Sequence, residues 1–133
     1  GAGFGFAHDS YNNQDPLSYI KKANNELINI IQIETKLGLE NVEAISSIDG
    51  VDCLWVGHFD LTNFLGIPGD FSSSIYLDAI KRIVEAGKKN KKSLGIMVNN
   101  KDEIEMYTSL GFNMIAVGTE MNILTRSISE IIS

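Results

Sequence analysis

Ile28-Asn29-Ile30-Ile31-Gln32-Ile33-Glu34-Thr35 is an apolar run, rich in β-branched residues, that stops on a carboxylate. Such a run predicts a strand buried on both faces, the pattern of parallel sheets. Side chains alternate along a strand, so Ile28, Ile30, Gln32 and Glu34 share one face, with the two polar members at its C-terminal end. A carboxylate there is costly unless it is paired or bound to a metal. The stretch Cys53-Leu54-Trp55-Val56-Gly57-His58-Phe59-Asp60 repeats the pattern, an apolar strand ending in a glycine turn and an acid.

Helical signals surround these two runs. Asp15-Pro16 opens a helix to about Asn25, with Asp15 as N-cap and Pro16 at its first position. Gly38 to about Ser47 reads as one short helix, with Leu39, Val42 and Ile45 at spacing three and Asp49-Gly50 as its stop. Leu61 to Gly69 reads as a loop with at most a single turn, punctuated by Pro68-Gly69. Ser74 to about Lys89 is the longest predicted helix, with an apolar stripe of Ile75, Ala79, Ile80, Ile83 and Val84. Its lysine-rich end reads as a solvated helix terminus. Leu94–Val98 is a third strand. Asp102–Leu110 is a helix capped by Gly111. Met114–Gly118 is a fourth strand, and Thr119 caps a last helix to about Ile132.

Strands alternating with helices predict βαβ units, hence a parallel sheet with right-handed crossovers. Two architectures satisfy this order: a small open doubly wound sheet, or half of an eight-stranded βα barrel. There is no dinucleotide fingerprint, because Gly1, Gly3 and Gly5 have the wrong spacing and follow no strand. At 133 residues the chain is at most one domain, with no internal boundary. Its net charge of −6 argues against a broad nucleic-acid or anionic-membrane surface. No run approaches the length of a membrane span. One cysteine, Cys53, permits no disulfide framework and suits a reducing, cytoplasmic setting. The first residue is Gly1 rather than Met, so the chain is read as processed or as a piece of something longer.

The acids are the candidate chemistry. Ligand sites in parallel sheets and barrels lie at the C-terminal ends of strands, where Glu34 and Asp60 are expected. Neighbouring strands lie about 4.8 Å apart, so two carboxylates there can share a hard divalent cation such as Mg²⁺ or Mn²⁺. Equally, each acid could cap a following helix or pair with Arg or Lys. No Cys/His set suits structural zinc, and neither His8 nor His58 has a nucleophile motif beside it. Gly118-Thr119 at a helix N-terminus offers a separate anion site, as in a non-catalytic phosphate-binding βα domain.

Gln32-Ile33-Glu34-Thr35, Gly50-Val51-Asp52 and Val56-Gly57-His58-Phe59-Asp60-Leu61 resemble the HpcH/HpaI aldolase family, class II metal-dependent aldolases that make and break bonds to pyruvate. Gly3-Phe4-Gly5-Phe6-Ala7 resembles the family's glycine-rich loop, and Ile115-Ala116-Val117-Gly118 its last strand. The likeness spans essentially the whole chain. It implies a TIM (β/α)8 barrel of the pyruvate/phosphoenolpyruvate superfamily, of which this chain is the second half, strands five to eight.

By the same resemblance, Glu34 and Asp60 are the protein ligands of a divalent metal (Mg²⁺, Mn²⁺ or Co²⁺). Gln32 hydrogen-bonds metal-bound pyruvate or its enolate, and backbone amides around Gly57, His58, Phe59 and Asp60 hold the pyruvate carboxylate. His58 stands where proline is usual, Phe59 where a small residue is usual and His8 where arginine is common, so the acceptor-aldehyde pocket is expected to differ. A His–Asp base and an Arg belong to the family's first half, which this chain lacks. The implied activity is reversible aldol cleavage of 4-hydroxy-2-oxo acids to pyruvate and an aldehyde, by a homo-oligomer in full-length form. A citrate lyase β-like CoA-ester lyase is the nearest alternative.

Overall fold

A computed structural model describes residues 3–7, 10–12 and 15–133, so His8 lies outside the described residues. The elements run α1 (Pro16–Glu26), β1 (Ile30–Ile33), α2 (Lys36–Glu40), α3 (Val42–Ser46), β2 (Cys53–Val56), α4 (His58–Phe64), α5 (Ser74–Lys89), β3 (Ser93–Val98), α6 (Lys101–Leu110), β4 (Met114–Val117) and α7 (Glu120–Ile132). The four strands form one parallel sheet in the order β1-β2-β3-β4.

Local chemistry fixes most ends. Asp15 accepts the Ser18 amide at 3.0 Å to start α1, and Asn100 accepts the Glu103 amide at 2.9 Å to start α6. Gly111 closes α6 at φ 107°, a left-handed conformation that glycine adopts without strain. The start of β1 is tied to β2 by Asn29, whose amide donates to Asp52 at 2.8 Å and whose side chain donates to the Gly50 carbonyl at 2.8 Å. These bonds set the register that pairs Gln32 with Trp55 and Ile33 with Val56.

Alternation along the strands gives the sheet two unlike faces. The outer face carries Ile33, Leu54, Val56, Leu94, Ile96 and Val98, all buried. They pack with Ala79, Ile80, Ile83 and Val84 in one continuous core. The inner face carries Gln32 and Glu34 on β1 and just beyond it, Cys53 and Trp55 on β2, Gly57, and Gly95 and Met97 on β3.

Four readings of the sequence need correction. Burial of the first strand on both faces does not hold: Ile33 is 1% exposed, but Ile30 on the opposite face is 47% exposed. The reason is that β1 is an edge of the described sheet, with a neighbouring strand on one side only. The single helix over Gly38–Ser47 is two helices that meet at Asn41, at φ −106° and ψ 12°. Of the stretch from Leu61 to Gly69, only the part after Phe64 is loop, because α4 runs from His58 to Phe64. Within α5, Tyr76 is buried where Ile75 was expected, and Ile75 faces solvent.

Candidate metal and substrate site

The site is built where β1 and β2 end. β1 delivers Gln32 and Glu34 to the inner face, and the Gln32 side-chain amide donates to the Glu34 carboxylate. Glu34 does not cap the helix that follows it. Thr35 does so instead, its hydroxyl accepting from the Gly38 amide at 3.0 Å. No described residue forms an ion pair with Glu34.

Gly57 is the counterpart on β2. Its amide donates to the Ile33 carbonyl at 3.1 Å, which locks the two strand ends together. A Cβ at Gly57 would stand 2.7 Å from the Glu34 Cβ, 2.9 Å from the Gln32 Nε2 and 3.1 Å from a Glu34 carboxylate oxygen. Glycine is therefore required by close approach: the Gln32–Glu34 pair fills the space a side chain would take.

Asp60 follows within one helical turn. It lies in the first turn of α4, not at the end of a strand, because β2 stops at Val56 and Gly57 starts the helix. Its carboxylate makes no capping bond and no ion pair among the described residues. An acid in a helix's first turn is favoured by the helix dipole, which accounts for its tolerance there. The turn itself is anchored by Thr62, fully buried, whose hydroxyl donates to the Phe59 carbonyl at 2.8 Å and accepts from the Gly69 amide at 3.0 Å.

Neither of the structural roles open to these acids, helix cap or Arg/Lys partner, is filled among the described residues. Two hard oxygen donors, one half-buried and one exposed, match an ion of the Mg²⁺ type, which binds through one or two carboxylates and completes its shell with water and substrate. Among the described residues no group of three or more His, Cys, Asp and Glu forms, so those residues by themselves offer no all-protein cage.

The structure distributes the expected substrate contacts unevenly. The Gly57 amide is already committed to Ile33, leaving those of His58, Phe59 and Asp60 at the helix start. The His58 ring lies 4.6 Å from that of Phe59 and 5.2 Å from that of Phe71. With Asn99, Glu103 and Tyr107 it lines a small cleft towards α6. Burial lowers its pKa, with Glu103 and the Val56 carbonyl pulling the other way. Phe59 is exposed and meets Phe71 edge-on at 5.1 Å. Sequence reasoning missed Phe71, which sits in a loop without periodicity, and the buried Tyr76–Tyr107 hydroxyl pair at 2.8 Å behind it.

At the separate anion site, the Gly118 amide donates to the Val98 carbonyl at 2.7 Å and Thr119 accepts the Asn122 amide at 3.3 Å, so both are engaged locally.

Residues 9–127 match the model of the HpcH/HpaI aldolase/citrate lyase family. The chain belongs to that family. Within it, the chain is 36% identical over 132 residues to a hydroxypyruvate/pyruvate aldolase of Deinococcus radiodurans, covering 96% of this chain and 46% of that protein. It is 30% identical over 127 residues to a 4-hydroxy-2-oxo-heptane-1,7-dioate aldolase of Escherichia coli, covering 96% and 48% respectively. A crystal structure of a family member from Burkholderia cenocepacia superposes with a TM-score of 0.90 at 28% identity, covering 99% of this chain and 51% of that one. The chain spans about half the length of the relatives it matches. Its parallel βα array is a partial barrel of the family's TIM type.

Proposed function

We propose that this chain is the metal-carrying second half, strands five to eight, of an aldolase that cleaves and forms 4-hydroxy-2-oxo acids, with pyruvate and an aldehyde as partners. One observation carries the reading: Gly57 has no side chain where Glu34 and Gln32 pack, which sets at the strand ends a carboxylate that has no cationic partner among the described residues, with Asp60 three residues beyond Gly57. The hydroxypyruvate/pyruvate aldolase and the 4-hydroxy-2-oxo-heptane-1,7-dioate aldolase named above support the substrate class.

Glu34 and Asp60 would hold a divalent cation, Mg²⁺, Mn²⁺ or Co²⁺. When bound, that cation supplies Lewis-acid stabilisation of the negative charge that develops on the 2-oxo acid as C3 loses a proton or its bond to C4 breaks. The remaining roles fall to side chains and amides. Gln32, held by Glu34, presents its amide to the oxo acid. The amides at the start of α4 take its carboxylate, with the dipole of that short helix in the same sense. Phe59 and His58 shape the acceptor side. The proton-transfer base and a charge-stabilising arginine would come from the first four strands of the barrel. The proposal extends to a single domain without internal boundary, a homo-oligomeric whole protein and a cytoplasmic setting, to which the single buried thiol is suited. No described helix is long and apolar enough to cross a membrane.

The test is calorimetric titration of Mn²⁺ into the chain and into Glu34→Ala and Asp60→Ala. Each substitution removes one of two protein ligands, so binding should be abolished in both. Unchanged affinity in both variants would sink the metal assignment.

A further inference from the structure

Trp55 is the chain's only tryptophan, and it lies outside the motifs that mark the site. It is the register partner of Gln32 on one side and of Gly95 on the other. Alternation places it on the same face as Gly57, two residues along, or about 6.6 Å below it. The indole lies across β3. A Cβ at Gly95 would come 2.4 Å from the indole Cε3, 3.0 Å from Cζ3 and 3.2 Å from the Cys53 sulfur. Carbon contacts are ordinarily about 3.5–4.0 Å, so no side chain at position 95 coexists with the indole in this place. The residue is only half-buried, and alternation puts it on the same sheet face as Gln32 and Glu34.

Resting on the metal-site reading, we propose that Gly95 and Trp55 act as one unit that sets the depth of the site. Gly95 is the positioning residue. Its bare backbone lets the indole lie flat as an apolar floor beneath the polar rim, where the carbon chain of a small 2-oxo acid would rest. A methyl at position 95 must lift the indole towards Gln32, its neighbour on β1, and so disturb the Glu34 carboxylate that Gln32 holds.

The test uses the whole chain, with Mn²⁺ as the probe and Trp55 emission as a readout independent of turnover. Mn²⁺ should quench the emission saturably, with the midpoint found by calorimetry, and Glu34→Gln should remove the quenching. Gly95→Ala should shift the emission and weaken Mn²⁺ binding about tenfold. Trp55→Leu/Gly95→Ala should recover the affinity of Trp55→Leu, because leucine ends at its Cδ atoms and has nothing at the Cε3 and Cζ3 positions that clash. A purely structural role would lower stability and leave the affinity of the folded fraction unchanged. If Gly95→Ala does not fold, the wild-type quenching and its loss in Glu34→Gln still decide the matter. Calorimetric binding with silent emission, or an unshifted emission in Gly95→Ala, overturns the floor and leaves the metal site standing. No calorimetric binding to the wild-type chain overturns both.

Discussion

Gly57→Ala is the most direct probe of how the site is held. The added Cβ would stand 2.7 Å from the Glu34 Cβ and 2.9 Å from the Gln32 Nε2. The first of these is about 1 Å inside normal carbon contact. A Cβ next to the main chain cannot swing away as a flexible tip can, so either β1 moves or the Glu34 rotamer changes. Overpacking of this kind costs about 1–3 kcal/mol. Alanine recovers about 0.4–1 kcal/mol by restricting the unfolded chain, since Gly57 has a negative φ that alanine tolerates. The net expectation is a loss of about 0.5–2 kcal/mol, read as a Tm drop of about 2–8 °C for a chain of this size. Displacing a residue that orients a ligand typically weakens metal binding about 10–100-fold, so Mn²⁺ affinity should fall by that factor. Gly87→Ala is the control: its Cβ meets the tip of Leu94 at 2.7 Å, far from the acids. It should cost stability and leave Mn²⁺ affinity unchanged. Thermal denaturation and calorimetry on the two variants separate the effects. A Gly57→Ala chain with wild-type Tm and wild-type Mn²⁺ affinity would refute the cradle.

Three further outcomes are expected. Tyr76→Phe should cost about 1–3 kcal/mol in urea denaturation by leaving the buried Tyr107 hydroxyl without its 2.8 Å partner, and Tyr76→Phe/Tyr107→Phe should recover most of that. Glu43, gripped by Arg82 at 2.7 and 2.8 Å, has its pKa lowered to about 2 by those hydrogen bonds, so it should titrate well below the usual carboxylate range by NMR and return to that range in Arg82→Gln. Because its folded pKa is depressed, its small stabilising effect is in place above about pH 4.5 and is lost as the pH falls towards about 2. Finally, β1 and β4 are the two edges of the described sheet, so the chain by itself should scatter light as an associated species and release no pyruvate in a coupled assay, with a first half-barrel restoring solubility and turnover; a monodisperse, active monomer would contradict the half-barrel reading.

The strand–helix alternation was legible because its signals are local and strong. Asp15-Pro16, Ser74 to Lys89 and Gly111 each carry a cap or a periodic stripe, and the corresponding elements form within a residue or two. Position 58–64 was not legible: His58-Phe59-Asp60-Leu61-Thr62-Asn63-Phe64 has little helix propensity, and its turn is stabilised by Thr62 bonding to Phe59 and to Gly69 across a loop. That misreading also set Asp60 at a strand end, whereas it lies in the first turn of α4. The division at Asn41 carries no Gly or Pro to announce it. The exposure of Ile30 was invisible for a different reason, since a strand's own sequence does not say whether a second layer is present. Of the candidate site, the type and order of residues were readable, whereas the interlock of Gly57 with Gln32 and Glu34 and the seat of Trp55 on Gly95 depend on which strands become neighbours, and the packing of His58 on Phe71 depends on how the loop after α4 folds back.

The sheet order β1-β2-β3-β4 follows the order of synthesis, and every strand pairs only with strands that are next to it in the chain. Each βα unit can therefore add to an edge already in place, without waiting for any segment still to be made. Pairings that close short loops form quickly, and domains assemble from the N-terminal side as the ribosome releases them. On a nascent chain, Gln32 and Glu34 would dock against Gly57 as soon as β2 emerges, before β3 exists. The proposed cation-binding corner is thus among the earliest tertiary features that this polypeptide can acquire.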